Sequence, residues 1–365
     1  MPRPSRKTLA VESAVPASLG YRMPAEWEPH AATWLAWPHN EEDWPGNFAP
    51  IPRVFAKMIA ELSHAERVRL IVDGPEREAV VWRLLVDEKA NVAGIDFFHA
   101  PTNRSWTRDF VPLFVRRAGE IRAVKFRFNG WARYDDHELD DQAGERVPSW
   151  LGLDTWRAAA ERDGRSHAVV LEGGAIDVDG EGTLLASEEC LVTGPHGRNA
   201  WLGLSGSEDA LRKYLGIEKV LWVGPGVAGD DTAGHVDDFV RFVGPGRVVL
   251  AEETRANDPN HAALAAAAER LAGARDAAGR KLEIIRLPMP DPVMWNGERL
   301  PASYANYYVA NGVVLVPTFD DQKDAIALGI LGELFPTRRI VGIHARDLVL
   351  GLGTIHCSTH EEPAR

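Results

Sequence analysis

Arg247-Val248-Val249-Leu250-Ala251, followed by Asp258-Pro259, an alanine-rich run from His261 to Ala274, and Leu282 to Arg286, spells out one structural unit in order. A short apolar strand leads into a helix for which Asp258 and Pro259 suit the N-cap and first turn, and a second strand closes the unit. The layout recurs. Val313-Val314-Leu315-Val316-Pro317 is followed by Asp320-Asp321, a helix from Asp324 to Phe335 and a strand from Arg339 to Ile343. Val68-Arg69-Leu70-Ile71-Val72, with Asp73-Gly74-Pro75 and a helix from Glu76 to Glu88, is a third copy. Units of about 60 to 70 residues imply an α/β repeat architecture in which each unit buries a face against the next. A ring of such units would bring their strand ends together at its centre. No Pro/Gly/Ser-rich linker divides the chain. The expectation is a single domain over residues 21–365, preceded by a flexible N-terminal arm, residues 1–20, where Pro2, Pro4 and Pro16 break any periodic pattern.

With 45% hydrophobic and 26% charged residues, the composition is that of an ordinary globular protein. No apolar run is long enough to span a bilayer, and the first twenty residues carry Arg3, Arg6 and Lys7 without the apolar core of a secretory signal. Only two cysteines occur in 365 residues, which fits a reducing compartment, and a cytoplasmic protein is expected. A net charge of −12 and the lack of a clustered basic run exclude nucleic acid as the natural partner. The same charge would suit a small cation. Between Met23 and Pro50, Trp27, Trp34, Trp37 and Trp44 suit either a packed cap or a pocket wall. A homo-oligomer is compatible with the chain, but an isologous surface leaves no signature in one sequence.

Four segments set acids, histidine or glycine beside a strand. Trp106-Thr107-Arg108-Asp109-Phe110-Val111-Pro112 places an aspartate after a loop. Leu171-Glu172-Gly173-Gly174 follows Val169-Val170, so Glu172 ends a strand where two glycines allow close approach. Gly234-His235-Val236-Asp237-Asp238-Phe239-Val240-Arg241-Phe242 alternates in the strand sense, which puts His235 and Asp237 on one face. Gly351-Leu352-Gly353-Thr354-Ile355-His356-Cys357-Ser358-Thr359-His360 sets a thiol after two glycines that free the backbone to turn. Taken singly, each has an ordinary structural reading: a surface ion pair, turn chemistry, a structural hydrogen bond, a small core hydrophobe. Together they supply a thiol, an imidazole and three carboxylates. Two carboxylates can clamp a planar guanidinium through bidentate hydrogen bonds while a thiolate attacks its central carbon.

Trp-x-Arg-Asp at 106–109, Glu-Gly-Gly at 172–174, Gly-His-Val-Asp at 234–237 and Gly-x-Gly-x-x-His-Cys at 351–357 resemble the agmatine deiminase group of guanidine-modifying enzymes, related to bacterial peptidylarginine deiminases. The resemblance extends from Met23-Pro24-Ala25-Glu26-Trp27-Glu28-Pro29-His30, through Val178 to Leu185 and Ala302 to Tyr308, to Glu362-Pro363. It implies a five-bladed α/β-propeller of the pentein type. It also implies Cys357 as nucleophile, His235 as general acid and base, Asp109 and Asp237 as the guanidinium clamp, and Glu172 as the group that orients His235. Trp106 and Asp231 are expected beside the substrate. No metal or organic cofactor is implied, because thiol and imidazole carry every step.

At Asp231 the group's agmatine-specific members carry a glutamate that reaches the substrate's distal amine, and the side chain here is one methylene shorter. Arg104-Ser105-Trp106-Thr107, Arg133-Tyr134 after Trp131, and Thr354, Ser358 and His360 around the cysteine also depart from the usual pattern. Agmatine is the first expected substrate. Peptidyl-arginine or another free guanidine is the alternative, and a catalytically silent cation-binding propeller is the alternative outside enzymes.

Two rival motifs carry less. Gly224-Pro225-Gly226-Val227-Ala228-Gly229 matches a dinucleotide fingerprint by letter, yet Asp230-Asp231 would face the pyrophosphate and no helix start follows. His356, Cys357 and His360 lack the spacing of a metal-binding frame. Cys190, in Ser187-Glu188-Glu189-Cys190-Leu191-Val192, is expected to be structural and on an apolar strand.

Overall fold

Each unit holds one strand more than the sequence pattern discloses. In the computed structural model, which describes residues 14–365, the strand Arg247–Glu252 pairs in parallel with Glu283–Pro288 across the helix Pro259–Leu271, and antiparallel with the preceding strand Val240–Gly244. Asp258 caps the helix by accepting from Asn260 N, and Pro259 begins it, as the sequence implied. The same antiparallel pair, helix and parallel strand recurs in three further sheets. They are Leu113–Arg117, Glu120–Lys125 and Thr155–Arg157; Ile176–Val178, Thr183–Ala186 and Lys219–Trp222; and Tyr308–Val309, Val313–Thr318 and Arg339–His344. Two of these opening strands, Ile176–Val178 with three residues and Tyr308–Val309 with two, are too brief to show a period.

A fifth sheet joins the two ends of the described chain. His30–Ala36, Arg67–Val72 and Ile95–His99 run parallel, and the C-terminal strand His360–Pro363 pairs antiparallel with His30–Ala36, Trp34 lying opposite His360. The opening strand of this unit therefore comes from the end of the sequence, and it anchors the Cys357 loop just ahead of it. Among the described residues, no helix is long and apolar enough to cross a membrane.

Part of the expected N-terminal arm is packed. Pro16–Leu19 forms a 3-10 turn closed by Gly20 in the left-handed region, Tyr21 is buried, and Trp156 Nε1 donates to Ala14 O at 3.1 Å. Prolines exclude a regular helix, but they do not stop a segment from docking on apolar neighbours. Residues 1–13 of that arm lie outside the described residues.

Candidate active site

Each of these five sheets delivers one polar segment to the same place, always on the residues that enter its opening strand. Asp109 lies in the helical turn Thr107–Phe110, ahead of Leu113–Arg117. Glu172 precedes the 3-10 turn Gly173–Ala175 and Ile176–Val178. Asp237 lies in the 3-10 turn Val236–Asp238 and His235 immediately before it, ahead of Val240–Gly244. Asn306 precedes Tyr308–Val309, and Cys357 precedes His360–Pro363. All six side chains are buried.

Two local expectations change. His235 to Phe242 is not one alternating strand; a 3-10 turn holds Asp237, and the strand begins at Val240. His235 and Asp237 still converge, with His235 Nδ1 3.9 Å from Asp237 Oδ1 and equally far from Asp109 Oδ1. Before Cys357 it is Leu352, at φ 64°, that adopts the left-handed turn. Gly351 and Gly353 are there for space: a Cβ on Gly351 would lie 2.7 Å from Trp44 Nε1, and one on Gly353 3.0 Å from both Cys357 Cβ and a Trp106 ring carbon.

Cys357 Sγ lies 3.7 Å from Asp237 Oδ2 and accepts from Asn306 Nδ2 at 3.1 Å. Asn306 Oδ1 in turn accepts from Thr354 Oγ1 and His356 N, which fastens the loop. Asp109 is held by Trp131 Nε1 at 2.9 Å and Gly174 N at 3.1 Å. A Cβ on Gly174 would lie 2.5 Å from His235 Nδ1, so this glycine is required where the carboxylates and imidazole crowd together.

Burial governs the proton affinities. It lifts Asp109 to about 6, with Asp237 and Glu172 adding to the rise and His235 opposing it. It also pushes the Cys357 thiol well above its usual range, as do the nearby Asp237, Asp238 and Asp109. For His235, burial works against the charged ring, but Asp109 and the other groups around it outweigh this and raise its proton affinity well above the ordinary value. Behind His235, Glu172 Oε2 lies 3.8 Å from Nε2, while Glu172 Oε1 accepts from Arg198 Nε at 2.9 Å. Arg198, and then His235, overcome burial and hold Glu172 down at about 2.

Cys190 is not on a strand. It lies in the short helix Glu188–Leu191, whose cap Ser187 packs under Gly234, and its sulfur shares the space behind His235. The sulfur, His235 and Glu172 offer ligand atoms within 4.8 Å of one another, as do Asp237, Asp238 and Cys357. A cation in either group would occupy the imidazole or the thiol themselves.

A cavity of about 610 Å³ leads from Cys357 to the surface past Asp109, Trp106 and Trp131. At its mouth Asp231 Oδ2 accepts from Tyr134 OH at 2.6 Å. Arg104 lies over the Tyr134 ring, 4.6 Å from its centroid, and pairs with Asp43 at 3.2 Å and Asp136 at 3.0 Å. Asp230 is turned into its own loop, where its carboxylate accepts from Thr232 N and Gly234 N. Those loop bonds occupy the stretch after the glycine-rich motif, and the turn at Val236 follows in place of a nucleotide-binding helix. Of the N-terminal tryptophans, Trp44 packs at a tilt against Trp106, ring centroids 5.5 Å apart, and thereby backs the pocket wall.

Sequence reasoning gave no role to Asn306, Arg198, Trp131, Tyr134 or Glu26. Asn306 sits ahead of its opening strand as a site residue does in every other unit, but a two-residue strand leaves no mark of that place in the sequence. Glu26 and Arg198 act on site residues far from them in sequence, His356 and Glu172, and no local pattern marks them.

A family profile described as Porphyromonas-type peptidyl-arginine deiminase matches residues 22–363. The chain is 35% identical to the agmatine deiminase of Ectopseudomonas mendocina, over 96% of this chain and 98% of that protein. Among solved structures, the agmatine deiminase of Enterococcus faecalis superposes with a TM-score of 0.88 at 32% identity, covering 97% of this chain and 99% of that one. That of C. jejuni, a cysteine-to-serine variant with substrate bound, gives 0.82 at 26% identity, covering 94% and 97%. The chain belongs to the Porphyromonas-type peptidyl-arginine deiminase family, whose fold is α/β. Within it, the chain groups with the agmatine deiminases, hydrolases of C–N bonds.

Proposed function

We propose that this protein hydrolyses the guanidine of agmatine to a ureido group, releasing ammonia. The observation that carries this reading is the burial of a thiol against two carboxylates, Asp109 and Asp237, with an imidazole within 3.9 Å of both. Such a pair complements a guanidinium, whose donors lie in one plane. We read the five sheets as the five blades of a propeller, with the site where their opening strands begin.

In the empty site the thiol keeps its proton, because burial and three carboxylates disfavour a thiolate. A bound guanidinium offsets that charge, and the thiol gives up its proton to water in the cavity, the proton that later accompanies the released ammonia as ammonium. The thiolate adds to the guanidine carbon, and the protonated His235 gives its proton to the departing nitrogen, which leaves as ammonia. The S-alkylthiouronium that remains is attacked by water as His235 takes a proton. The C–S bond then breaks, the ureido carbonyl forms, and the hydroxyl proton returns to the thiolate. Glu172, anchored by Arg198, orients His235 throughout.

Arg104 is the natural group to meet the carboxylate of free arginine, but it is committed to Asp43 and Asp136. Asp231 lines the cavity together with Glu42 and Glu298, and with Trp106 on the wall these acids favour a substrate with a distal ammonium. Two free, buried cysteines suit a cytosolic setting. A panel of agmatine, arginine, peptidyl-arginine and simple guanidines, assayed for ammonia, tests the reading. Release from agmatine, abolished in Cys357→Ala, is expected; no release from any of them would end it.

A further inference from the structure

His356, beside the nucleophile, has no place in the chemistry above, yet it is wired to it. Its Nδ1 lies 2.6 Å from Asp237 Oδ2, and its Nε2 lies 2.7 Å from Glu26 Oε2. A carboxylate can only accept. Both ring nitrogens therefore donate, and the ring bridges two buried acids. Glu26 comes from the opposite end of the sequence and is itself clamped: its Oε2 also meets Arg241 Nη2 at 3.0 Å and Arg108 Nη2 at 3.3 Å, and its Oε1 accepts from Val309 N. Arg108 ties this cluster to the cysteine loop, donating through Nε to His356 O and through its backbone N to Cys357 O.

The consequence falls on Asp237. One of its oxygens, Oδ2, is used by His356, while Oδ1 is fully buried and has no hydrogen-bond partner among the described residues. A buried acceptor without a partner is costly unless something arrives to fill it. We propose that His356 is a positioning residue of the guanidinium clamp, holding Asp237 through Oδ2 so that Oδ1 stays aimed at the substrate, with Glu26 and its two arginines as the fixed support. This rests on the deiminase reading and deepens it. A single-headed amide at position 356 could not donate to acids on both sides of the ring; histidine can.

The groups facing Asp237 are His356 and Cys357 from the last loop, His235, Asp238 and Arg241 from its own segment, and Asp109 from the neighbouring turn. Burial alone would raise its proton affinity, and His356 foremost brings it below the ordinary carboxylate value. Removing His356 raises it, so the clamp loses its charge at a higher pH as pH falls. The test measures agmatine affinity by calorimetry in a Cys357→Ala background, where turnover does not intervene, with and without His356→Gln. At least a tenfold loss at pH 6.5, shrinking by pH 8.5, is expected. In the Cys357-containing enzyme, His356→Gln should move the acid limb of kcat/KM up by a pH unit or more. Equal weakening at every pH, as a purely structural role would give, overturns the proposal, and so does no change. If His356→Gln does not fold, ¹⁵N NMR of the His356 ring in Cys357→Ala decides: both nitrogens must carry hydrogen at neutral pH, and a singly protonated ring refutes the bridge. Should wild type release no ammonia from any guanidine, it is the deiminase reading that fails, independently of these results.

Discussion

The floor of the cavity and its mouth are built in different ways. On the floor, each group enters from the start of a different sheet and is fixed by buried partners: Asp109 by Trp131 and Gly174, Cys357 by Asn306, Glu172 by Arg198. At the mouth, Asp231, Tyr134, Arg104, Asp43 and Asp136 brace one another on loops, with Asp136 more than half exposed. Groups held by sheet ends tolerate almost no displacement, whereas a loop-borne cluster can change its members and keep its charge. On the proposed function, the reaction is set by the floor and the choice of guanidine by the mouth.

The sharpest way to break this contrast is at a floor glycine. Gly174→Ala would place a Cβ 2.5 Å from His235 Nδ1 and near both clamp carboxylates. A misplacement of that order costs about a hundredfold in rate, and steady-state kinetics should show the loss equally for agmatine and for guanidines without a distal amine. A loss confined to agmatine would mean that the floor also reads the far end. At the mouth the opposite signature is expected. Asp231→Ala removes a charged partner worth about ten- to a hundredfold, seen as a higher KM for agmatine and little change for a guanidine lacking the amine. Tyr134→Phe deletes one hydrogen bond to that acid and should cost about two- to tenfold in the same parameter. Equal effects on both substrates would take Asp231 out of the amine site. The mildest effect comes from pH. Asp109, lifted to about 6, is charged above that value and neutral below it, so kcat/KM should be about halved near pH 6 and fall further in acid. An acid limb well below that would place the controlling group elsewhere.

The same contrast explains what the sequence could disclose. The units around Arg247, Val313 and Val68 were legible because apolar strands, an Asp-Pro cap and helical runs are local signals, and the observed bounds differ from the expected ones by a few residues. The floor residues were legible as motifs beside strands. Two of the opening strands, Ile176–Val178 and Tyr308–Val309, were not, because two or three residues carry no period, and a third, His360–Pro363, completes a sheet that begins at His30. Tyr134 under Arg104 and Glu26 under His356 meet only through the fold. Arg104, in the sequence only a departure from the usual pattern, is a brace between Tyr134, Asp43 and Asp136.

The central claim is that Cys357 becomes covalently attached to the guanidine carbon during turnover. Agmatine mixed with the enzyme, quenched in acid within a turnover and digested for mass spectrometry should yield the Cys357 peptide heavier by agmatine less ammonia, with Cys190 unmodified. An enzyme that releases ammonia while the Cys357 peptide stays unmodified at every quench time, or that carries the adduct on Cys190, would contradict the account.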